Sequence, residues 1–372
     1  MSLYIGLMSG TSMDGVDAAL VEFSDQKISV IRSSTTPYPD RLRAQLREAI
    51  APGARLSLHE IGTFDVSIGR AFAKAAEAIL EQTETQATQV VAIGSHGQTL
   101  RHSAESDPPY SIQVGDPATI AYRTSITTVA DFRSIDIASG GQGAPLVPAF
   151  HDAWFRVAGK DIVIVNIGGI ANITVLPAKP SDSIAGFDTG PGNCLLDDWI
   201  SHIRQLSCDQ DGLWAASGNV CAGLLGRLME DKHILRTPPK STGREYFNLT
   251  FLGGILKQTG NLNLKPEDVQ ATLLEYTVTS IAHGIRQTGI SAKKVYVCGG
   301  GAQNGVLMNR LRASLPGSSV ASTAERNIEP SAVEAVAFAW LARQRLNLTP
   351  VPVTTGRHTL SRILGTVSVP TI

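Results

Sequence analysis

Cysteine is scarce and unpaired in this chain: Cys194, Cys208, Cys221 and Cys298 are the only four in 372 residues, and no two form a C-x-x-C pair. So few thiols at such spacings argue against a disulfide framework and point to reduced, buried side chains in a cytoplasmic protein. No stretch approaches the ~18 consecutive apolar residues of a membrane span, and residues 1–10 lack the basic start of an export signal. An excess of either charge is missing too. Lys and Arg number 32 against 33 Asp and Glu, a net −1, so no global field favours nucleic acid or an acidic membrane, and any phosphate has to be bound locally. Familiar catalytic motifs are also lacking. G-x-x-x-x-G-K-[ST] does not occur, and the run 299–305 has Asn304 where the third glycine of G-x-G-x-x-G should stand, which weakens a P-loop and a Rossmann reading. No H-E-x-x-H or tight His cluster supports zinc. Asp188-Thr189-Gly190 occurs once, so the shared-proton dyad of an aspartic protease lacks its second carboxylate.

What is present begins at once. An apolar run at 4–8 breaks at Ser9-Gly10-Thr11-Ser12-Met13-Asp14-Gly15 and resumes over 16–23, the pattern of a hairpin. Its tip suits phosphate: glycine lets backbone N–H groups approach an anion, and Ser9, Thr11 and Ser12 add hydroxyl donors without bulk. Asp14 and Asp17 would repel a bare phosphate but could hold Mg²⁺ directly or through water. Taken alone, a tight polar turn explains the stretch equally well.

The pattern recurs. Residues 161–167 (DIVIVNI) lead into Gly168-Gly169-Ile170-Ala171-Asn172 and a further apolar run at 173–176. Downstream, 90–93 feeds GSHGQT at 94–99, and 294–298 feeds GGGAQN at 299–304. Each half thus offers a Gly-tipped hairpin, helical sequence, then a strand ending in glycines, and such duplication predicts two similar α/β lobes with a ligand cleft between them. A chain of 372 residues with 43% apolar content suits two cores, since single cores rarely grow beyond about 250–300 residues. The boundaries expected are 1–130 plus about 335–372 for the first lobe and 131–334 for the second.

Between the glycine turns the periodicity predicts helices over 58–80, 266–287 and from 329–331 to about 345. The segment 131–148 (DFRSIDIASGGQGAPLVP), dense in Gly, Ser and Pro, is expected to cross between lobes, and 238–244 (PPKSTGR) reads as a solvated loop. Asp188 stands out. It is expected where the short run 183–187 ends, ahead of helical sequence from 194, and the carboxyl ends of strands in α/β sheets face ligand crevices. An aspartate there can accept a proton from a hydroxyl or a water. The competing reading is a helix cap, for which Asn193 is better placed. Asp131 and Arg133 also follow an apolar run; Arg133 suits a bidentate carboxylate clamp, and a structural salt bridge suits it almost equally. His96 and His102 read first as hydrogen-bonding residues rather than metal ligands.

Two lobes with Gly-tipped hairpins and a lone carboxylate resemble the actin and sugar-kinase superfamily. More narrowly, LMSGTSMDGVD at 7–17, GSHGQT at 94–99, VADFR at 129–133, GGQGAPLVP at 140–148, NIGGIAN at 166–172, GFDTGPGN at 186–193, KSTGRE at 240–245 and CGGGAQN at 298–304 look like the anhydro-N-acetylmuramic acid kinase family, in order along nearly the whole chain. The resemblance implies two actin-like (ribonuclease H-like) lobes with a duplicated βββαβαβα-type core and an interlobe cleft. It also implies a cytoplasmic enzyme of cell-wall recycling that takes 1,6-anhydro-N-acetylmuramic acid, water and ATP with Mg²⁺, opens the anhydro bridge and phosphorylates O6. By that resemblance Asp188 is the general base and Glu334 a second acid in the sugar site. Gly10, Thr11, Ser12, Met13, Asp14, Gly15, Val16 and Asp17 form the first phosphate hairpin, with Asp14 toward the metal. Gly168, Gly169 and Asn172 form the second, and Gly299, Gly300 and Gly301 lie against adenosine. His96, Gln98, Asp131 and Arg133 are the candidates for holding the sugar and its lactyl carboxylate. No nucleic-acid or membrane partner is expected, and a homodimer is one expectation for the exposed helices. Two alternatives stand beside it: a hexokinase-like kinase of a free sugar, which would use the same constellation, and a nucleotide-driven actin- or chaperone-type binding module.

Overall fold

The computed structural model describes residues 1–10, 13–24, 27–51, 53–104, 106–258, 264–355 and 358–370. Contacts divide the chain into two compact units, Met1–Phe150 with Ala332–Ile372, and His151–Ser331. Residues 131–150, assigned by sequence to the second lobe, therefore fall in the first unit. Their Gly-rich stretch is packed rather than linking: it carries the helix Ser134–Ala138 and the start of Val147–Phe155, and Asp136, Phe150 and Leu146 are buried. Glu334 likewise belongs to the first unit.

In that unit the chain forms β1 (Ser2–Met8), β2 (Gly15–Phe23), β3 (Ile28–Pro37), β4 (Val90–Ser95), β5 (Gln98–Ser103), β6 (Tyr110–Val114) and β7 (Thr128–Ala130). Apolar residues fill β1 because it is central, antiparallel to β2 and parallel to β4, so both faces are covered. Successive residues point to opposite faces. Ile5 and Leu7 join the core beneath the helix Leu58–Gln82, whose Phe64, Ile68, Phe72, Ala76 and Ile79 are buried at helical spacing. A capping box starts that helix: Ser57 N–H donates to Glu60 Oε2 at 2.7 Å and Glu60 N–H to Ser57 Oγ at 3.2 Å. Gly6 and, one strand over, Gly94 meet the helix Val333–Leu346, where an added Cβ would strike the carbonyls of Ala335 and Phe338. That helix is apolar almost all round, with Val336, Ala337, Phe338, Ala339 and Leu341 buried, as a central helix must be.

The second unit repeats the plan with β8 (Ile162–Ile167), β9 (Ile170–Leu176), β10 (Ala185–Pro191), β11 (Lys294–Cys298) and β12 (Ser319–Ser322). The helix Pro266–Gln287, which matches its predicted span, lays Leu273, Leu274, Val278 and Ile281 into the same core as Val163, Val165 and Ile167. The chain then returns to the first unit with β13 (Val351–Thr355), β14 (His358–Arg362) and β15 (Thr366–Ser368). The sheet orders are β15-β7-β4-β1-β2-β3 and β10-β9-β8-β11-β12. In each, three antiparallel strands are followed by parallel additions beside the first, which is the duplicated actin-like core. Among the described residues no helix is long and apolar enough to cross a membrane.

The tight approach at Gly94 predicts that Gly94→Ala costs about 1–3 kcal/mol, read as a lower urea midpoint. Gly62, exposed in the helix Leu58–Gln82 with nothing within 4 Å of a built Cβ, should give the opposite sign, since Gly→Ala in a helix gains up to about 1 kcal/mol.

Candidate active site

The first hairpin is held from beneath. Ser9 Oγ lies 2.8 Å from both Gly15 O and Gln98 Oε1, and Gln98 Nε2 donates toward Gly10 O at 3.4 Å. Gln98, expected on the sugar, therefore uses both ends of its amide to pin the turn. Of the predicted phosphate-binding residues, Thr11 and Ser12 lie outside the described residues. Met13 and Val16 are 5% and 0% exposed, so their side chains belong to the core and only their backbone could meet a ligand. Gly15 is closed in by Thr36 O. Asp14 is exposed, with its carboxylate 3.8 Å from Arg47. Asp17, inside β2, accepts a hydrogen bond from Thr35 Oγ1 at 2.5 Å, and burial, with the charge of Asp14, pushes its carboxyl up.

Beside it stands a charge group built on the end of β7 and the first turn of the helix Val333–Leu346. Arg133 donates from Nη1 to Gly143 O at 2.6 Å and from Nη2 to His96 Nε2 at 2.7 Å. His96 Nδ1 in turn lies 2.8 Å from Gly97 O, so Nδ1 carries the ring proton and Nε2 accepts from Arg133. Burial, reinforced by the Arg133 charge, lowers His96 to about 3. Burial lowers Arg133 to about 10, with Glu334 opposing, which leaves the guanidinium charged at neutral pH. The Glu334 carboxyl is raised to about 7 by burial and then by Asp17, while Arg133 pulls it down. Glu334, Asp17 and Arg133 thus form one electrostatic set, and Nε2 of His96 is engaged by the arginine. Asp131, at an exposed position in a left-handed turn, φ 51°, accepts from Ser134 Oγ through Oδ1 at 2.6 Å. Sequence reasoning missed Asp136, fully buried, whose Oδ2 accepts from Gly143 N–H at 2.8 Å while Arg362 approaches its other oxygen at 3.4 Å. The pair fixes the loop whose carbonyl receives Arg133.

In the second unit the turn at Gly168 and Gly169 is stapled to the start of the helix Cys194–Arg204. Gly192 N–H donates to Gly169 O at 2.9 Å and Asn193 N–H to Gly168 O at 2.8 Å. Asn193 does not cap that helix through its side chain; its amide donates to Ile167 O at 3.2 Å. Gly299 has φ +79°, and a Cβ on it would meet Asn166 and Ile167, so this glycine is demanded by packing on the end of β8. Gly300 is exposed and open, the member of the run free to lie against a ligand.

Asp188 sits in mid-strand rather than at a strand end, because β10 continues to Pro191 with a register shift after Asp188. Cross-strand pairing sets Asn166, Asn172 and Asp188 in one row across β8, β9 and β10, polar side chains sharing a face. The matching row of the first sheet is Met8, Asp17 and Thr35. Asp188 Oδ2 accepts from Thr242 N–H at 2.9 Å and Ser241 Oγ at 3.0 Å. The segment read as a solvated loop thus grips the principal carboxylate; its signal was a lysine and two hydroxyls between a Pro-Pro pair and a glycine. Burial raises Asp188 to about 6, the two donors lower it, and Glu245 raises it. Next to it lies a cavity of about 600 Å³ lined by Lys232, His233, Arg236, Ser241, Thr242, Glu245 and Tyr246. Among the described residues no group of three or more His, Cys, Asp or Glu is arranged to hold a metal. A partly desolvated carboxylate raised by burial to about 6, with a cavity beside it, is equipped to take a proton at neutral pH.

Comparisons with known proteins give a family for the whole chain. The sequence model of the family described as "Anhydro-N-acetylmuramic acid kinase" matches residues 2–369. The chain is 48% identical over 357 residues to an anhydro-N-acetylmuramic acid kinase from Shewanella amazonensis, covering 95% of each. It is 46% identical over 374 residues to one from Saccharophagus degradans, covering 99% of each. A third, from Coxiella burnetii, is 46% identical over 366 residues, covering 98% of this chain and 96% of that protein.

The Arg133–His96 contact predicts a neutral imidazole with the proton on Nδ1 throughout pH 5–8. Long-range ¹H–¹⁵N spectra should show that tautomer unchanged across the range; a titration near the ordinary 6.5 would remove the arrangement.

Proposed function

The chain belongs to the anhydro-N-acetylmuramic acid kinase family, and from that membership we propose the reaction and the residues that carry it. The protein is a phosphotransferase that uses ATP. It takes 1,6-anhydro-N-acetylmuramic acid, and water opens the anhydro bridge. The carboxylate of Asp188 takes a proton from the water as its oxygen attacks the anomeric carbon, and the bond from that carbon to O6 breaks. O6 leaves without a separate acid because it receives the γ-phosphoryl group, giving N-acetylmuramate 6-phosphate and ADP for cell-wall recycling. One observation carries the base assignment: a carboxyl raised by burial to about 6 yet held on one oxygen by two donors. Such a group is ionised at pH 7 and basic enough to accept a proton in the transition state.

The other roles follow the geometry. Glu334, with Arg133 alongside, is the second acidic group of the sugar site. The lactyl carboxylate requires a cation, and Arg133 remains the candidate, although its two NH₂ groups already donate within the protein. Gln98 and Ser9 act on the first hairpin rather than on the sugar. That hairpin and the turn at Gly168–Gly169 present backbone to the phosphates, where phosphoryl transfer asks for positioning and charge neutralisation more than for covalent chemistry. Asp14 is the residue for Mg²⁺: one exposed carboxylate fits an ion that keeps several waters and completes its shell with substrate phosphates. When bound, the ion neutralises charge on the transferring phosphoryl group.

Asp188→Asn should lower kcat by about 10²–10⁴-fold with the fold intact, and near-full turnover in that variant would remove the base assignment. In ¹⁸O-labelled water, mass spectrometry of the product should find the label on the anomeric hydroxyl. Its absence would indicate simple transfer to a free sugar.

A further inference from the structure

Lysine is seldom buried without a carboxylate, because removing an ammonium from water is costly. Lys240 is 4% exposed, and its Nζ donates to two backbone carbonyls, Ile234 O at 2.9 Å and His233 O at 3.1 Å. Both belong to the short helix Lys232–Leu235, whose terminal carbonyls lack partners of their own. The same residue reaches Asp188 through its backbone, since Asp188 N–H donates to Lys240 O at 3.1 Å. The next two residues supply the donors to Asp188 Oδ2, and His233 Nε2 lies 3.2 Å from Asp188 O. Residues 233 to 242 therefore engage the N–H, the carbonyl and one carboxylate oxygen of Asp188. Among the described residues Oδ1 has no hydrogen-bond donor, which leaves that oxygen for the proton. The anchor of this whole clasp is the Lys240 ammonium.

We infer that Lys240 is a positioning residue for Asp188: tied to the end of the helix Lys232–Leu235, it keeps the Ser241 and Thr242 donors on Oδ2 and turns Oδ1 toward the substrate without touching the substrate itself. The inference rests on Asp188 being the base. Hydrogen bonds to the charged form of a carboxyl lower its proton affinity, so slackening the clasp makes Asp188 harder to ionise and moves the acid limb of activity to higher pH. The charged and titratable groups around the pair are Asp231, His233 and Arg236 from the short helix and its flanks, Glu245 beyond the loop, and His283 from the helix Pro266–Gln287. Burial, then Arg236, lowers the Lys240 ammonium, and Asp231 raises it.

The test is the pH profile of kcat/KM with 1,6-anhydro-N-acetylmuramic acid for wild type, Lys240→Met, Lys240→Gln and Asp188→Asn. Wild type should lose activity below about pH 6. Lys240→Met, which keeps the stem and removes the donors, should move that limb up by about one pH unit and lower kcat about tenfold, with KM nearly unchanged. Lys240→Gln retains one neutral donor and should fall between; if the methionine variant does not fold, the glutamine variant carries the comparison. A folded variant whose acid limb coincides with wild type overturns the role of Lys240, provided Asp188→Asn is inactive. Full turnover by Asp188→Asn would instead sink the base reading, whatever Lys240 does.

Discussion

One carboxylate, partly removed from water and held on a single oxygen, is the constraint to which the second unit is built. A fully solvated aspartate would be too weak a base, and one buried without donors would be protonated at neutral pH and useless as an acceptor. Asp188 lies between these limits because Ser241 and Thr242 oppose the effect of burial. The strand places it, the loop tunes it, and the buried lysine steadies the loop. None of these features does much alone.

The duplicated sheets make the asymmetry plain. Across the first sheet the row reads Met8, Asp17, Thr35, and across the second Asn166, Asn172, Asp188. The third strand contributes a threonine to that row in one copy and Asp188 in the other. The first unit's acid, Glu334, comes from a central helix seated against Gly6 and Gly94, and its arginine is fixed by His96 and by a loop organised around buried Asp136. Rigid elements thus position each charge, as a site needing sub-ångström placement requires.

Much of this was legible in the sequence because it is local. Apolar runs broken by glycines gave both hairpins, and 3.6-residue periodicity with proline and acids at the start gave the helix 266–287. Asp188 was singled out by its place in a short apolar run, although its strand is longer than expected: Gly190 and Pro191 look like a terminator, yet they pair with β9 as far as Ile170. What was not legible depends on tertiary partners. A histidine or glutamine has the same donors whether it faces a sugar or a backbone carbonyl, so the service of His96 to Arg133 and of Gln98 to Gly10 cannot be read from their types. The segment 131–148 looks like a linker because composition records Gly, Ser and Pro, not that Asp136 is buried beneath them. Lys240 was overlooked for the same reason, since burial of a lysine inverts its usual meaning.

Asp188 as a carboxylate poised close to neutrality is what the proposed chemistry needs first. Carbon-13 NMR of the enzyme labelled at aspartate carboxyls, with Asp188→Asn to assign the resonance, measures this directly. A titration midpoint of about 6 is expected; a midpoint at the ordinary 3.8 would leave Asp188 too weakly basic for the role.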